Sequence, residues 1–253
     1  MSATGQVSTV PAVHRRVHSV DFAMTDRLNL GCGPSAPVGW VNVDGSWNAW
    51  FSNHRRFRKV LATLGLIPSN FGAQWKVRPL IHDLTKPLPF PANGMSAVYA
   101  SHVLEHLYLV DAQKLLEECK RVLRPGGIIR LVVPDLHAMA LDYLSKKEGR
   151  SPCALDNAAA ADHLNERLAF RNPSPPAGNI VFKLYSLWKD FHSHKWMYDG
   201  ESLARYLRLA GFQEVSRKEF RRSDIPGIEE VEEEDRVLGG AGVCVEAKKP
   251  KVV

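Results

Sequence analysis

The chain has 253 residues, a net charge of +6 and four cysteines, so it is long enough for one domain with added segments and buries about 70–75% of its unfolded surface without staples. Cys32, Cys119, Cys153 and Cys244 lie far apart with no metal-type pairing, which argues against a disulfide framework or zinc finger and favours a reducing cytoplasm. No apolar run reaches the length of a membrane span, and the modest positive charge permits phosphate-bearing partners without demanding them.

Residues 1–24 are rich in Ser, Thr and Val, with His14, Arg15, Arg16 and His18 and no acid before Asp21. They read as a flexible leader; the apolar core of a secretory signal is missing, and an organelle transit peptide is only faintly suggested. The domain is expected over 25–253. Its first strand runs through Arg27-Leu28-Asn29-Leu30 into Gly31-Cys32-Gly33-Pro34, a turn where glycine admits backbone angles and ligand approach that a Cβ would forbid. A second strand, Val41-Asn42-Val43-Asp44, ends in an acid able to accept hydrogen bonds from two vicinal ribose hydroxyls. A dinucleotide site would want a third glycine near position 36 and a long helix aimed at a pyrophosphate. Position 36 is alanine, prolines stand at 34 and 37, and Asp44 comes eleven residues after Gly33, which leaves no room for that helix. The pattern therefore suits a nucleoside cofactor without phosphate.

Residues 46–76 form an aromatic and basic insertion containing Trp47, Trp50, Phe51, His54, Arg55, Arg56, Phe57, Arg58 and Lys59. It reads either as an acceptor-facing surface for a glycan, nucleotide sugar or nucleic acid, or as an amphipathic cap on the sheet. His82-Asp83-Leu84 and Pro87-Leu88-Pro89-Phe90 follow, then Ser96-Ala97-Val98-Tyr99-Ala100-Ser101-His102-Val103-Leu104-Glu105-His106-Leu107. Residues 111–123 repeat apolar positions at helical spacing with Asp111 as the expected cap, and Pro125-Gly126-Gly127 stops the helix. Ile128-Ile129-Arg130-Leu131-Val132-Val133 reads as a core strand ending at Pro134-Asp135. This alternation implies a doubly wound parallel sheet with ligands at the carboxyl ends of its strands. Residues 136–170 look helical and 171–178 form a proline-rich loop. A helix carries Leu203, Tyr206, Leu207 and Ala210 on one face up to Gly211, the acidic run 229–235 reads as solvated, and 242–248 as a last strand.

With these motifs in order, residues 28–135 resemble the class I S-adenosylmethionine-dependent methyltransferases, most closely the methyltransferase type 11-like group. The resemblance implies an α/β, Rossmann-like doubly wound sheet, mostly parallel with an antiparallel C-terminal strand beside the fifth, and a lid at about 171–200. It implies S-adenosylmethionine as cofactor, with Gly31, Cys32 and Gly33 at its methionine end, Asp44 on the ribose, Asp83 and Leu84 on the adenine, and Ser101 and His102 beside the sulfonium. The chain departs from the group at Met95-Ser96, where an aspartate usually opens the fourth strand, and in its shortened first helix.

For a hydroxyl acceptor a base is needed, and a histidine has the right pKa. His102 is the first candidate, with His194 and Asp135 next. His102-Val103-Leu104-Glu105-His106 also fits the H-x-x-E-H pattern of inverted zinc peptidases, but it stands where the methyltransferase group has its VLEH segment. Methyltransferases of catechol-like phenols or RNA termini carry E-x-x-E-H at this place, which would make His102, Glu105 and His106, joined by His192 or His194, a mixed metal set. Capping or packing of Glu105 and His106 is the preferred reading, and no metal is expected. The expected activity is methyl transfer to a small-molecule or glycan-type acceptor, most naturally at oxygen, with nucleic acid less favoured and the oligomeric state open. A metal-assisted enzyme for RNA termini or polyphenols, and a cofactor-binding protein without turnover, are the alternatives. His194-Lys195-Trp196-Met197-Tyr198, Ile225-Pro226-Gly227-Ile228-Glu229 and Val245-Glu246-Ala247-Lys248-Lys249 loosely resemble a bacterial subgroup associated with polysaccharide biosynthesis.

Overall fold

The computed structural model describes residues 25–34, 36–67, 75, 77–148, 159–170 and 193–251. The leader, Cys153, His192 and most of the expected lid lie outside the described residues. Seven strands form one sheet in the order β3-β2-β1-β4-β5-β7-β6: β1 Arg27–Leu30, β2 Val41–Asp44, β3 Leu80–Ile81, β4 Met95–Ser101, β5 Leu123–Val133, β6 Gln213–Lys218 and β7 Val243–Lys248. The first five pair in parallel, and β7 runs antiparallel to both β5 and β6. This is the expected mostly parallel, Rossmann-like sheet with its antiparallel C-terminal strand.

β1 and β4 are buried on both faces, as parallel core strands are: Leu28, Leu30, Val98 and Ala100 on one, and Asn29, Ala97 and Tyr99 on the other, have at most 4% exposure. Two boundaries differ from the sequence pattern. Helix α3 (Leu109–Val122) starts before Asp111, whose N–H donates to Tyr108 O (2.9 Å), so Asp111 sits in the first turn rather than at the cap. β5 begins directly after α3, because Leu123 already pairs with Met95 and a register shift absorbs Pro125-Gly126-Gly127. The expected helical stretch after β5 contains α4 (Leu136–Lys147) and α5 (Ala159–Leu168). The aromatic segment forms two short helices, α1 (Trp47–Asn53) and α2 (Arg55–Thr63).

The sheet is covered differently on its two faces. One apolar cluster joins it to Leu115, Leu116 and Val122 of α3 and to Leu203 and Leu207 of α6 (Gly200–Leu209). A second gathers Trp40, Tyr99, Val132, Ile225, Ile228 and Val237. The described residues of the connection 31–40 carry no helix, and residues 219–242, the long link from β6 to β7, contribute to this second cluster. Arg130, fully buried on β5, anchors that link. Its Nε and Nη2 donate to Glu232 (2.8 and 2.9 Å), Nη1 to Glu246 (2.8 Å) and Arg222 O (3.1 Å), and Nη2 to Glu219 O (2.9 Å). All five guanidinium N–H groups are thereby used. Glu232 is 2% exposed, so the acidic run read as solvated contains a core residue, drawn inward by Arg130.

Candidate active site

The strand order reverses between β1 and β4, and the expected cofactor residues stand at the carboxyl ends of the strands there. Gly31 and Gly33 both take left-handed φ values, 62° and 61°. A Cβ on Gly31 would collide with a Val103 methyl, whereas at Gly33 the nearest atom, Arg236 Nη2, is 3.8 Å away. Cys32 N–H donates to Val43 O (3.1 Å), tying the turn to β2. The buried Asp44 carboxylate is fixed at both oxygens: Gly33 N–H donates to Oδ2 (3.1 Å) and Ser46 N–H to Oδ1 (2.8 Å). Each oxygen keeps a further lone pair for a ligand hydroxyl. Behind the turn, Asn29 Nδ2 donates to Asn42 Oδ1 (2.9 Å), and Asn42 Nδ2 to Pro37 O (2.7 Å), which sets the path of the connection 31–40.

A small open cleft lies beside this turn, lined among others by Gly31, Cys32, Tyr99, Ser101 and Arg236. Ser101 Oγ and Tyr99 Oη are buried there, near each other but without a well-formed hydrogen bond, and a polar ligand would satisfy them. These donors and acceptors fit the amino-acid and ribose parts of the expected cofactor. Burial, reinforced by the Asp44 charge, pushes the Cys32 thiol far above its usual range, so Cys32 offers a neutral surface rather than a thiolate. Asp83 and Leu84 follow β3, joined to Asp44 by His82 N–H donating to Asp44 O (3.3 Å). The partial burial of Asp83 raises its pKa, but the Thr85 N–H (3.0 Å) and hydroxyl (2.8 Å) outweigh this and hold the carboxyl below its usual range.

His102 leaves β4 with φ 53°, a strained value for a non-glycine residue, while its N–H still pairs with Val132 O (2.9 Å). Its Nδ1 lies 3.1 Å from Glu105 Oε1 and its Nε2 3.1 Å from Arg236 O. Burial lowers the pKa, and the Glu105 carboxylate with the Arg236 carbonyl more than restores it, so the ring sits above the ordinary histidine value. The next residues form a short 3-10 turn, Leu104–His106, so the two histidines of the H-x-x-E-H pattern do not share a helical face as a peptidase zinc site requires.

Asp135 and His194 stand elsewhere. Asp135 Oδ1 accepts from His137 N–H (3.1 Å), capping α4, and Oδ2 faces Arg217 at 3.5 Å. His194 lies beside Glu105 and His106, the donor atoms of all three being within 4.8 Å of one another. Sequence reasoning missed Arg236, whose Nη1 reaches Ser101 O (3.4 Å) and whose carbonyl meets His102. Nothing local signals it, because it sits beside an acidic run more than 130 residues from its partners.

Residues 28–131 match the family model described as a methyltransferase domain. Among solved structures, a SAM-dependent methyltransferase from Archaeoglobus fulgidus is 16% identical, with 90% of this chain and 88% of that chain covered and a TM-score of 0.45. A SAM-dependent methyltransferase from Thermotoga maritima is 17% identical (88% and 81% covered, TM-score 0.42). A methyltransferase in complex with the Haloferax volcanii Trm112 activator is 15% identical (89% and 82%, TM-score 0.44). No curated protein matches the chain.

Proposed function

We propose that this chain, a class I methyltransferase by the domain at residues 28–131, uses S-adenosylmethionine to methylate an oxygen of a small-molecule or glycan-type acceptor. The observation that carries the reading is the Asp44 carboxylate, aimed by two backbone N–H groups beside a cleft lined by the Tyr99 and Ser101 hydroxyls. Bound there, the cofactor supplies a methyl carbon already activated by a positive sulfur for in-line displacement. Gly31, Cys32 and Gly33 would hold its methionine end, Asp44 the ribose hydroxyls, and Asp83 with Leu84 the adenine. Ser101 and His102 would lie beside the sulfonium, where the acceptor meets the methyl group.

His102 is the proposed base because it is the first residue past β4 and Glu105 orients its ring through Nδ1. Nε2 is then the nitrogen to face an acceptor hydroxyl, which requires the Arg236 carbonyl to give way. Asp135 is less suited, since its carboxylate caps α4. Support for a glycan comes from the insertion, where Trp47 and Phe57 are 37% and 51% exposed beside Arg55, Arg56 and Lys59: rings to stack on sugar faces, cations for attached phosphates. Among the described residues no helix is long and apolar enough to cross a membrane.

The experiment is release of S-adenosylhomocysteine across a panel of hydroxylated small molecules and oligosaccharides, with the product's methyl position assigned by NMR. An O-methylated product supports the reading. Methylation only at nitrogen or carbon overturns the oxygen assignment, and turnover on RNA alone overturns the acceptor class.

A further inference from the structure

We propose that Glu105, His106 and His194 form a site for a divalent transition-metal ion, with zinc the best match, that ties residues 193–198 to the end of β4. The site does not depend on the identity of the acceptor.

Glu105 is the starting point. Its side chain is fully buried; Oε1 faces His102 Nδ1 at 3.1 Å, while Oε2 has no hydrogen-bond partner. A charge removed from water on these terms is costly unless a cation meets it. His194 Nδ1, close by, is also buried without a hydrogen-bond partner. The open Oε2 of this carboxylate and the unpartnered imidazole nitrogen are what a shared metal ion would satisfy together, each giving one lone pair.

The third member is already oriented for this. His106 Nδ1 lies 3.3 Å from Ser193 O, an acceptor, so that nitrogen carries the proton and Nε2 holds the lone pair. Metal-binding histidines are commonly fixed this way, the second nitrogen donating to a carbonyl. The His106 and His194 rings approach at 5.0 Å between centroids and 62° between planes. The backbone is also braced: Lys195 and Trp196 N–H groups donate to Glu105 O (2.6 and 3.3 Å), and Lys195 Nζ to His106 O (3.0 Å).

One donor atom from each residue lies within 4.8 Å of the others, and binding would draw them to the roughly 3.3 Å separations implied by metal–ligand bonds of about 2.0–2.1 Å. Two imidazoles and one carboxylate suit zinc and its neighbours, whereas magnesium and calcium prefer all-oxygen sets. Three protein ligands leave a fourth position for water or a substrate oxygen. The ligand set differs from the H-x-x-E-H pattern in the sequence: His102 is engaged with Glu105 and Arg236 O, and His194 takes its place.

The test uses the full chain, stripped with chelator, dialysed and titrated with cobalt(II) as a spectroscopic probe. The expected result is one equivalent bound, with visible ligand-field bands of a low-coordinate nitrogen and oxygen site, no thiolate charge-transfer band, and displacement by zinc. Glu105→Gln and His194→Ala should each weaken binding at least about 100-fold. Folding of each variant is checked by circular dichroism and by S-adenosylhomocysteine affinity, which reports the cofactor site separately. If Glu105→Gln does not fold, His194→Ala and His106→Asn decide the matter alone. Absence of binding at millimolar cobalt, a thiolate band, or unchanged affinity in folded variants overturns the site.

Discussion

The two faces of the sheet solve one burial problem with different chemistry. On one, α3 and α6 lay regular apolar stripes, Leu115 with Leu116 and Leu203 with Leu207, against the strands. On the other, the described residues of the connection 31–40 form no helix, and the irregular segment 219–242 supplies Ile225, Ile228 and Val237 instead. A helix satisfies its own backbone; an irregular segment must find partners for its carbonyls, and Arg130 takes those of Glu219 and Arg222 while its charge meets Glu232 and Glu246. The difference teaches that a polar network can replace a missing helix, and that the loop it holds delivers something further, Arg236 at the cofactor cleft.

The largest expected effect breaks that network. Arg130→Met leaves two buried carboxylates without their cation and should cost about 3–5 kcal/mol, measured by urea denaturation. Removing all three charges together, as Arg130→Met with Glu232→Leu and Glu246→Leu, should recover much of that stability yet weaken S-adenosylhomocysteine binding, because the segment bearing Arg236 loses its anchor. Unchanged cofactor affinity in the triple variant would show that the network serves stability alone. On the helical face, Leu207→Ala should cost about 2–5 kcal/mol through a cavity, leaving cofactor affinity within a few-fold. A large loss of affinity there would erase the contrast between the faces.

The same contrast governs what was legible in the sequence. The turn at Gly31 and Gly33, the acid at Asp44 and the strand ending in Ser101 and His102 are local patterns, where a few adjacent residues dictate the backbone. So are α6, with its apolar spacing up to Gly211, and the last strand. The second face depends on pairs such as Arg130 and Glu232, 102 residues apart, and a run of acids looks solvated until its buried partner is known. One signal was present: an arginine in the middle of the apolar run 128–133 demands a buried counter-charge. At the candidate site, His102, Glu105, His106 and His194 were legible as members of one possible set, but the pairing of His102 with Glu105, which leaves His194 beside Glu105 and His106, required the fold.

A smaller effect probes the cofactor end of the switch point. Asp44→Ala removes a charged acceptor expected on the ribose, so S-adenosylhomocysteine affinity measured by calorimetry should fall roughly 10–150-fold, the equivalent of about 1.5–3 kcal/mol. For the unaltered chain, ligand at about a hundred times its dissociation constant should add roughly 2.7 kcal/mol of stability. Unchanged affinity in Asp44→Ala would move the ribose contact to another acid.

The smallest effect sharpens the account of the regular face by testing how α6 begins. Asp199 Oδ1 accepts from Ser202 N–H (2.7 Å), and Ser202 Oγ accepts from Asp199 N–H (3.0 Å), a reciprocal cap on the helix that carries Leu203 and Leu207. The Ser202 N–H holds the Asp199 carboxyl below the usual carboxylate range, because it favours the ionised form. A depressed folded-state pKa means that the stabilisation is present above the unfolded value and fades as pH falls through the folded one. Asp199→Ala should therefore cost about 0.5–2 kcal/mol near neutrality and progressively less as acid protonates the wild-type carboxyl. Stability curves of the two proteins between neutral pH and the acid limit of folding check this. A difference that stays constant or widens toward low pH would mean that the carboxylate is not what caps α6, and that packing of Leu203 and Leu207 alone sets where the helix starts.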